Sequence, residues 1–140
     1  MRRVLLSIVA AMACIYAAPA RADVQVRISK SRQTMYVYVN RELTYVWPVS
    51  TGRGRYDTPG GTFRPHRLER RWYSTKYSGA PMHNAVFYNG GYAIHATTEV
   101  SRLGRPASHG CIRLAPGNAR VFYSLVSQYG AARTRIAIGR

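Results

Sequence analysis

The sequence predicts a mainly β domain of sandwich-like architecture with one helix near the C-terminus. Three observations support this fold class. Apolar and polar residues alternate over residues 24–28, 33–39 and 43–49, as they do in half-buried strands. Glycine, asparagine and proline separate most of the short apolar segments, which is typical of turns. Only residues 116–130 show the spacing of an amphipathic helix, with Pro116 in the first turn and Gly130 at the end.

Residues 33–49 are predicted to form a β-hairpin. Asn40 and Arg41 supply a tight turn, because asparagine tolerates positive φ. The first strand is expected to place Met35, Val37 and Val39 on one face. The returning strand is expected to place Leu43, Tyr45, Trp47 and Val49 on one side. An aromatic stripe of this kind is more typical of a core than of a ligand site.

The remaining strands are shorter. Residues 62–64 begin one strand, residues 84–88 and 92–96 flank an Asn-Gly-Gly turn, and Thr134, Ile136 and Ile138 alternate in a last strand. Residues 65–82 are polar, basic and aromatic, with no clear period. A loop of this length in a compact domain usually carries function, and the alternative is a disordered insertion.

The N-terminal 22 residues have the pattern of a signal peptide. Arg2 and Arg3 precede an apolar run, and Ala20-Arg21-Ala22 is a typical cleavage signal. We therefore expect residues 23–140 to form one exported domain, located in the periplasm or cell envelope. The apolar run is short for a membrane span, so no integral span is expected in the mature chain. A retained anchor and lipidation at Cys14 are the alternatives.

The chain is strongly basic. Lysine and arginine number 21 against five acidic residues, and loss of Arg2, Arg3 and Arg21 lowers the net charge from +16 to +13. Such a surface favours anionic polymers as partners. Export makes envelope polymers the expected partners and disfavours nucleic acid. A well-solvated basic surface without a specific partner is the alternative.

The segment from Ser108 to Leu114 carries the residue types that thiol chemistry needs. Removal of residues 1–22 leaves Cys111 as the one cysteine, and an unpaired thiol in an exported protein usually has a function. A thiolate is a nucleophile whose population rises beside cations. Gly110 allows backbone N–H groups to approach a reacting carbonyl, and Arg113 can bind a carboxylate. A buried, inert cysteine is the alternative.

Ser-His-Gly-Cys-Ile-Arg-Leu at 108–114 resembles the signature of the L,D-transpeptidase (YkuD-type) catalytic domain. Residues 48–63 and 88–95 resemble two further segments of that family, and the similarity runs from Val24 to Ile138. The resemblance implies the L,D-transpeptidase catalytic fold, no cofactor, and acylation by carbapenems. It also implies a lid over the active site at 65–82. Gly60 and Arg113 depart slightly from the usual pattern, which bears on substrate fit.

The resemblance also implies the reaction. The cysteine attacks the carbonyl of the third residue of a peptidoglycan tetrapeptide stem and expels the terminal D-alanine. An amine from a second stem then resolves the thioester into a 3→3 crosslink. A lysine of an acceptor lipoprotein is another possible amine, and water would give an L,D-carboxypeptidase.

The family's catalytic residues map onto this chain one by one. His95 is expected to be the general base, oriented by the backbone carbonyl of Ala96, because a carbonyl suffices to fix a tautomer. His109 is expected to shape the site, although it remains an alternative base. Gly110 and Cys111 are the expected oxyanion donors.

Four further residues are expected to bind or position substrate: Ser108, Arg113, Met82 and Tyr92. Arg113 is alternatively a structural ion-pair partner or a group that lowers the pKa of Cys111. His66 and His83 are expected to be polar surface residues. Two rival classes are open: a non-catalytic envelope-binding module, and a metal site formed by His95, His109 and Cys111, although no metal is expected.

Overall fold

The computed structural model describes residues 22–140. Within them lie nine strands, one α-helix and three short 3₁₀ turns. The predicted signal peptide, Cys14 included, lies outside the described residues, apart from Ala22. No helix in the described part of the chain is long and apolar enough to cross a membrane. The strands are β1 (Val24–Ser29), β2 (Thr34–Val39), β3 (Glu42–Pro48), β4 (Gly61–Phe63), β5 (Arg67–Glu69), β6 (Ala85–Asn89), β7 (Tyr92–Ala96), β8 (Ile112–Leu114) and β9 (Thr134–Gly139); the helix is α1 (Pro116–Tyr129).

The strands form two sheets. The larger sheet has the order β3-β2-β1-β9-β4 and is antiparallel except for the central β1–β9 pair. The smaller sheet has the order β5-β6-β7-β8 and ends in a parallel β7–β8 pair. The prediction of a mainly β, sandwich-like fold with one helix near the C-terminus is therefore confirmed.

The core lies between the two sheets and beneath α1. Val24, Val26 and Ile28 alternate with polar residues along β1, and each is almost fully buried. The smaller sheet contributes Val86 and Ile94 from its inner face, and α1 closes one end with its apolar side. Burial of apolar surface provides the main stabilisation, and it fixes which face of each strand points outward.

The predicted hairpin is present, but one residue lies on the other face. Val37 is opposite Tyr45, whereas Tyr38 is opposite Leu43, so a β-bulge falls between the two pairs. An extra residue in one strand reverses the side on which the following residues point. Leu43 is therefore 50% exposed, and the prediction that it shares a side with Tyr45 and Trp47 was wrong. Trp47 is buried in the core, as expected.

Two short strands were not expected from the sequence. β5 lies within the segment predicted to be a loop and pairs with β6. β8 forms inside the 108–114 signature and pairs with β7, with Ile94 opposite Ile112 and His95 opposite Arg113. This second pairing brings the signature directly beside the strand that carries His95.

Residues 70–84, which we term the covering loop, lie over the outer face of the smaller sheet. Met82 and Trp72 pack on Phe87 and Ala93 there. The loop doubles back on itself, with a hydrogen bond from Met82 N to Trp72 O of 2.8 Å and one from Ser74 N to Ala80 O of 2.8 Å. The sandwich therefore has one covered outer face, on the smaller sheet.

Candidate active site

A groove lies between the covering loop and the outer face of the smaller sheet. It encloses about 150 Å³. Six of the predicted site residues line it: Met82, His95, Ser108, His109, Cys111 and Arg113. Seven residues that were not singled out from the sequence line it too: Ser74, Tyr77, Ala80, Pro81, Thr97, Thr98 and Glu99. The groove is therefore built from the signature, the end of β7 and the loop together.

His95 reaches the groove from the end of β7. It is 6% exposed, and its Nδ1 lies 2.7 Å from the carbonyl oxygen of Ala96. Since a carbonyl can only accept, Nδ1 carries the proton, and Nε2 of the neutral ring is left with a free lone pair. Burial lowers the pKa of His95 to about 4, although the Ala96 carbonyl acts in the opposite direction and Arg113 adds to the lowering. The ring is therefore neutral at pH 7.

Cys111 lies one residue before β8, at the floor of the groove. Its thiol faces the carbonyl oxygen of Gly91, 3.8 Å away. Burial raises the pKa of the Cys111 thiol, while a hydrogen bond from the backbone of Ala93 and the charge of Arg113 act to lower it. At neutral pH the groove thus holds a thiol and a neutral imidazole, which is the combination that general-base activation requires.

Two buried hydroxyls hold the turn before Cys111. Ser108 Oγ donates to the carbonyl oxygen of Cys111 at 2.5 Å and accepts from Gly110 N–H at 3.0 Å. From the other side, Thr58 Oγ1 donates to the carbonyl oxygen of Gly110 at 2.8 Å and accepts from Gly52 N–H at 2.9 Å. The position of Cys111 is therefore set by Ser108, within the same turn, and by Thr58, from a distant segment.

Gly110 is required by the shape of this turn. Its φ is +119°, a value that residues with a side chain rarely adopt. A Cβ at this position would lie 2.6 Å from Cε1 of Tyr92. Tyr92 thus packs against the turn and is not among the groove-lining residues. The Gly110 N–H, expected as an oxyanion donor, already donates to Ser108.

His109 links the signature to the covering loop. Its ring stacks on Tyr77 of the loop with a centroid distance of 4.5 Å and meets Tyr56 edge-on at 4.7 Å. Partial desolvation lowers the pKa of His109, and the charges of Arg53 and Arg113 add to this effect. This histidine is held by ring contacts, whereas His95 is held by a hydrogen bond.

Arg113 forms an ion pair at the edge of the groove. Its Nη1 lies 3.1 Å from Oε2 of Glu99, and the same carboxylate oxygen lies 3.5 Å from Nε of Arg102. The Arg113 side chain is only 18% exposed. Arg113 therefore has a carboxylate partner and also acts on the pKa of both Cys111 and His95. Glu99 follows His95 by four residues, which is the sequence signal that places it here.

The other two histidines lie outside the groove. His66 is exposed. His83 is half-buried, its ring meets Tyr73 edge-on, and its carbonyl accepts a hydrogen bond from Ala96 N–H at 2.9 Å. Although His95, His109 and Cys111 share one groove, residues 22–140 contain no group of three or more His, Cys, Asp or Glu residues arranged to hold a metal ion.

Solved structures show the same architecture. The chain is similar to an L,D-transpeptidase from Mycobacterium smegmatis, with 26% identity, a TM-score of 0.75, and coverage of 85% of this chain and 59% of that chain. It is also similar to the LD transpeptidase LdtMt1 in complex with imipenem, with 25% identity, a TM-score of 0.75, and coverage of 84% and 59%. An L,D-transpeptidase (Yku) from Stackebrandtia nassauensis shares the fold, at 23% identity, a TM-score of 0.75, and coverage of 89% and 59%.

The chain spans about three-fifths of the length of these structures. No curated protein matches it. The family model of the L,D-transpeptidase catalytic domain, YkuD, matches residues 23–138, which is most of the chain. With the fold, the groove and this match in agreement, the chain belongs to the YkuD family of L,D-transpeptidase catalytic domains.

Proposed function

We propose that this protein is an L,D-transpeptidase that acts on peptidoglycan tetrapeptide stems through a thioester on Cys111. One observation carries the proposal. One groove is lined by both the Cys111 thiol and a buried, neutral His95 whose Nδ1 donates to the Ala96 carbonyl. This is the order of nucleophile, base and orienting acceptor that covalent acyl transfer uses. Membership in the L,D-transpeptidase family supports the same reaction.

The first half-reaction forms the acyl-enzyme. His95 Nε2 takes the proton from Cys111 Sγ, and the sulfur attacks the carbonyl carbon of the third stem residue. The tetrahedral intermediate then collapses, the bond to the terminal D-alanine breaks, and His95 returns the proton to the departing amine. One C–N bond is exchanged for one C–S bond, and no cofactor is needed.

The oxyanion of that intermediate needs hydrogen-bond donors. The Gly110 N–H is engaged with Ser108 Oγ, so at this turn we assign the role of donor to the Cys111 N–H. Gly110 contributes by allowing the left-handed turn that presents this amide. Ser108, for its part, positions the turn and does not itself react.

The second half-reaction transfers the acyl group to an amine. An amine of a second stem gives the 3→3 crosslink, a lysine of an envelope lipoprotein gives an attached protein, and water gives an L,D-carboxypeptidase. Arg113 is suited to a substrate carboxylate. Glu99 is the one acidic side chain among the groove-lining residues of the described chain, and it suits an incoming ammonium group. Met82 contributes apolar surface on the loop side.

The site of action follows from the substrate. Peptidoglycan lies outside the cytoplasmic membrane, so we propose that residues 1–22 direct export and that the mature protein works in the periplasm or cell envelope. Its basic surface favours anionic envelope polymers as further partners, and not nucleic acid. The rival proposal, a non-catalytic envelope-binding module, keeps this surface but has no need of a paired thiol and imidazole.

Incubation of the mature protein with purified sacculi or tetrapeptide muropeptides, followed by mass spectrometry, tests the proposal. Release of D-alanine with 3→3 dimers is the expected result, and Cys111→Ser is the matched control. Tripeptide products alone would identify an L,D-carboxypeptidase. Unchanged muropeptides, with wild-type protein still bound to sacculi, would identify a binding module.

A further inference from the structure

The outer face of the larger sheet carries a second concave surface, on the opposite side of the sandwich from the catalytic groove. The depression measures about 670 Å³. We term it the arginine–tyrosine face. Its side chains come from β1, β2, β4, β9 and the β1–β2 turn, and they include Arg27, Arg32, Tyr36, Tyr38, Thr62 and Arg140.

Strand register places these groups in rows across the sheet. Arg27 is opposite Tyr36 in β2 and Ala137 in β9, and Ala137 is in turn opposite Thr62 in β4. In the next row, Gln25 is opposite both Tyr38 and Arg135. Because their neighbours in β1, β2 and β9 point into the core, all these side chains point outward.

The arginines of this face are not neutralised by the protein. All five acidic residues lie in the described part of the chain, and four of them pair elsewhere: Asp23 with Arg133, Asp57 with Lys30, Glu69 with Arg67, and Glu99 with Arg113. None of the five lines the depression. Among the described residues, neither Arg27 and Arg32, which line the depression, nor Arg135, which lies beside it in the row of Gln25 and Tyr38, has an acidic side chain within 4.0 Å.

The tyrosines add a flat, partly apolar surface to the positive charge that the arginines supply. Tyr36 and Tyr38 are half-buried, and the guanidinium carbon of Arg27 lies 5.5 Å from the centroid of the Tyr38 ring. Such a contact holds the arginine in place while its N–H groups stay free to bind an anion. Half-buried tyrosine rings offer an apolar face and a polar hydroxyl, which together suit the rings and hydroxyls of a sugar.

The shape of the face distinguishes two kinds of anionic partner. A concave depression with spaced arginines fits a chain with repeated charges, whereas a bilayer surface favours apolar groups that project outward. Leu43 and Val46 are 50% and 52% exposed on β3, at the edge of the same sheet and outside the depression. The charged centre therefore favours a polymer chain over a lipid surface.

We propose that the arginine–tyrosine face is a second binding site, for an acidic polysaccharide chain. The site goes beyond the proposed catalytic function and does not depend on it. Because the two sites lie on opposite outer faces of the sandwich, the protein can hold an acidic glycan on one side while the groove remains open to a stem peptide on the other. The face would thus supply anchoring on envelope polymers.

The test measures binding of the mature protein to a fluorescent oligogalacturonate, whose sugars each carry one carboxylate, at an ionic strength of about 0.15 M. The site variant is Arg27→Ala/Arg32→Ala/Arg135→Ala. The matched control, Arg70→Ala/Arg71→Ala/Arg120→Ala, removes the same charge from a separate depression on the covering-loop side. All six arginines are exposed, so both variants should fold. Acylation by a carbapenem confirms an intact groove in each.

We expect binding to weaken about tenfold in the site variant, since three exposed charge contacts are lost, and less than twofold in the control. A neutral dextran of equal length should not bind. Tyr38→Ser, made alone in the wild-type protein, should also weaken binding, although it leaves the net charge unchanged. Equal losses in the two triple variants would overturn the site in favour of diffuse charge attraction. Stronger binding to phosphatidylglycerol vesicles, lost in Leu43→Ser/Val46→Ser, would overturn it in favour of a lipid surface.

Discussion

The two walls of the groove that holds Cys111 and His95 are built in different ways. The sheet wall is formed by His95, Cys111 and Arg113. These residues belong to β7, to the turn that precedes β8, and to β8 itself. Its backbone is tied on both sides, by β7 and by a pair of hydrogen bonds between Arg113 and Ser50 of 2.9 and 3.1 Å. The loop wall, formed by Ser74, Tyr77 and Met82, belongs to the covering loop, where hydrogen bonds run mainly within the loop itself.

The difference assigns separate tasks to the two walls. Proton transfer requires heavy atoms to be held within hydrogen-bond reach, and only the sheet wall offers a backbone fixed from both sides. The loop wall supplies ring and apolar surface that can adjust to a substrate. We therefore expect substitutions in the sheet wall to lower the rate of acylation, and substitutions in the loop wall to act mainly on substrate binding.

The largest effect is expected for Cys111→Ala. The variant should form no covalent adduct with imipenem, because the nucleophile is gone, while wild type gains the mass of the drug. Intact-mass spectrometry checks this, and an unchanged melting temperature shows that the fold survives. An adduct of equal yield on the alanine variant would place the nucleophile elsewhere.

The next effect is expected for His95→Ala, which should slow acylation at pH 7 by about 10²–10⁴-fold. Its rate should recover partly as pH rises, because the thiolate then forms without a base. In wild type, acylation should fall on acidification near pH 4, where His95 becomes protonated and can no longer accept. This folded pKa lies below the usual value of about 6.5, so the unfolded chain binds a proton at His95 more readily than the folded chain does. The free energy of unfolding should therefore decrease as pH falls from about 6.5 to about 4.

His109→Ala is the matched control for that prediction. It removes the stacking contact with Tyr77 and should slow acylation through loss of geometry, without recovery at high pH. The measurement is the pH dependence of acylation for both variants. Recovery at high pH in His109→Ala instead of His95→Ala would reverse the two roles.

A smaller effect is expected for Ser108→Ala. The hydroxyl makes one hydrogen bond to each side of the turn, so its loss should destabilise the fold by about 1–3 kcal/mol. Acylation should slow about tenfold, because the nucleophile is less well positioned. Ser124→Ala, on the exposed side of α1, is the control for denaturation and kinetics. An acylation rate equal to that of wild type would show that the turn keeps its conformation without the Ser108 hydroxyl.

The smallest effect is expected for Tyr77→Ala in the loop wall. Loss of the stack on His109 should weaken substrate binding about two- to tenfold, on the scale of one aromatic pair. The change should appear in KM more than in kcat. Tyr73→Ala in the same loop, 57% exposed, should change neither. A fall in kcat with an unchanged KM would show that the loop wall takes part in the chemistry.

The residues of the sheet wall were all named from the sequence, whereas the loop wall was expected only through the family resemblance, as a lid at 65–82 with Met82 as its one named residue; Ser74 and Tyr77 were missed. His109, Cys111 and Arg113 lie within five residues of one another, so covalent connection alone brings them together, and the hairpin signal at Asn89-Gly90-Gly91 indicates where the strand with His95 begins. The covering loop has no hydrophobic period to interpret. Thr58 reaches the site only through tertiary packing, whereas Glu99 was missed although it follows His95 by only four residues.

Prediction of the strands from the sequence was limited in the same way. Long alternating segments such as β1 and β9 were predicted, because each period of two repeats several times. β5 and β8 have three residues each, too few for alternation to be recognised. β4 is equally short, but the Gly- and Pro-rich segment before it marked where a strand could begin. The bulge between Leu43 and Tyr45 places Leu43 on the outer face of the sheet, and an apolar residue looks the same in a sequence whichever face it lies on.

The central pairing of β1 with β9 has a consequence for how the domain forms. These strands are neighbours in the middle of the larger sheet, yet they stand at opposite ends of the folded chain, and β4 joins the sheet only through β9. The sheet cannot close until residues 134–139 have emerged, and a pairing of such long sequence separation slows folding. Under the export proposed above, this delay is an advantage, since the N-terminal hairpin has no completed sheet to join until the C-terminal strand has followed it across the membrane.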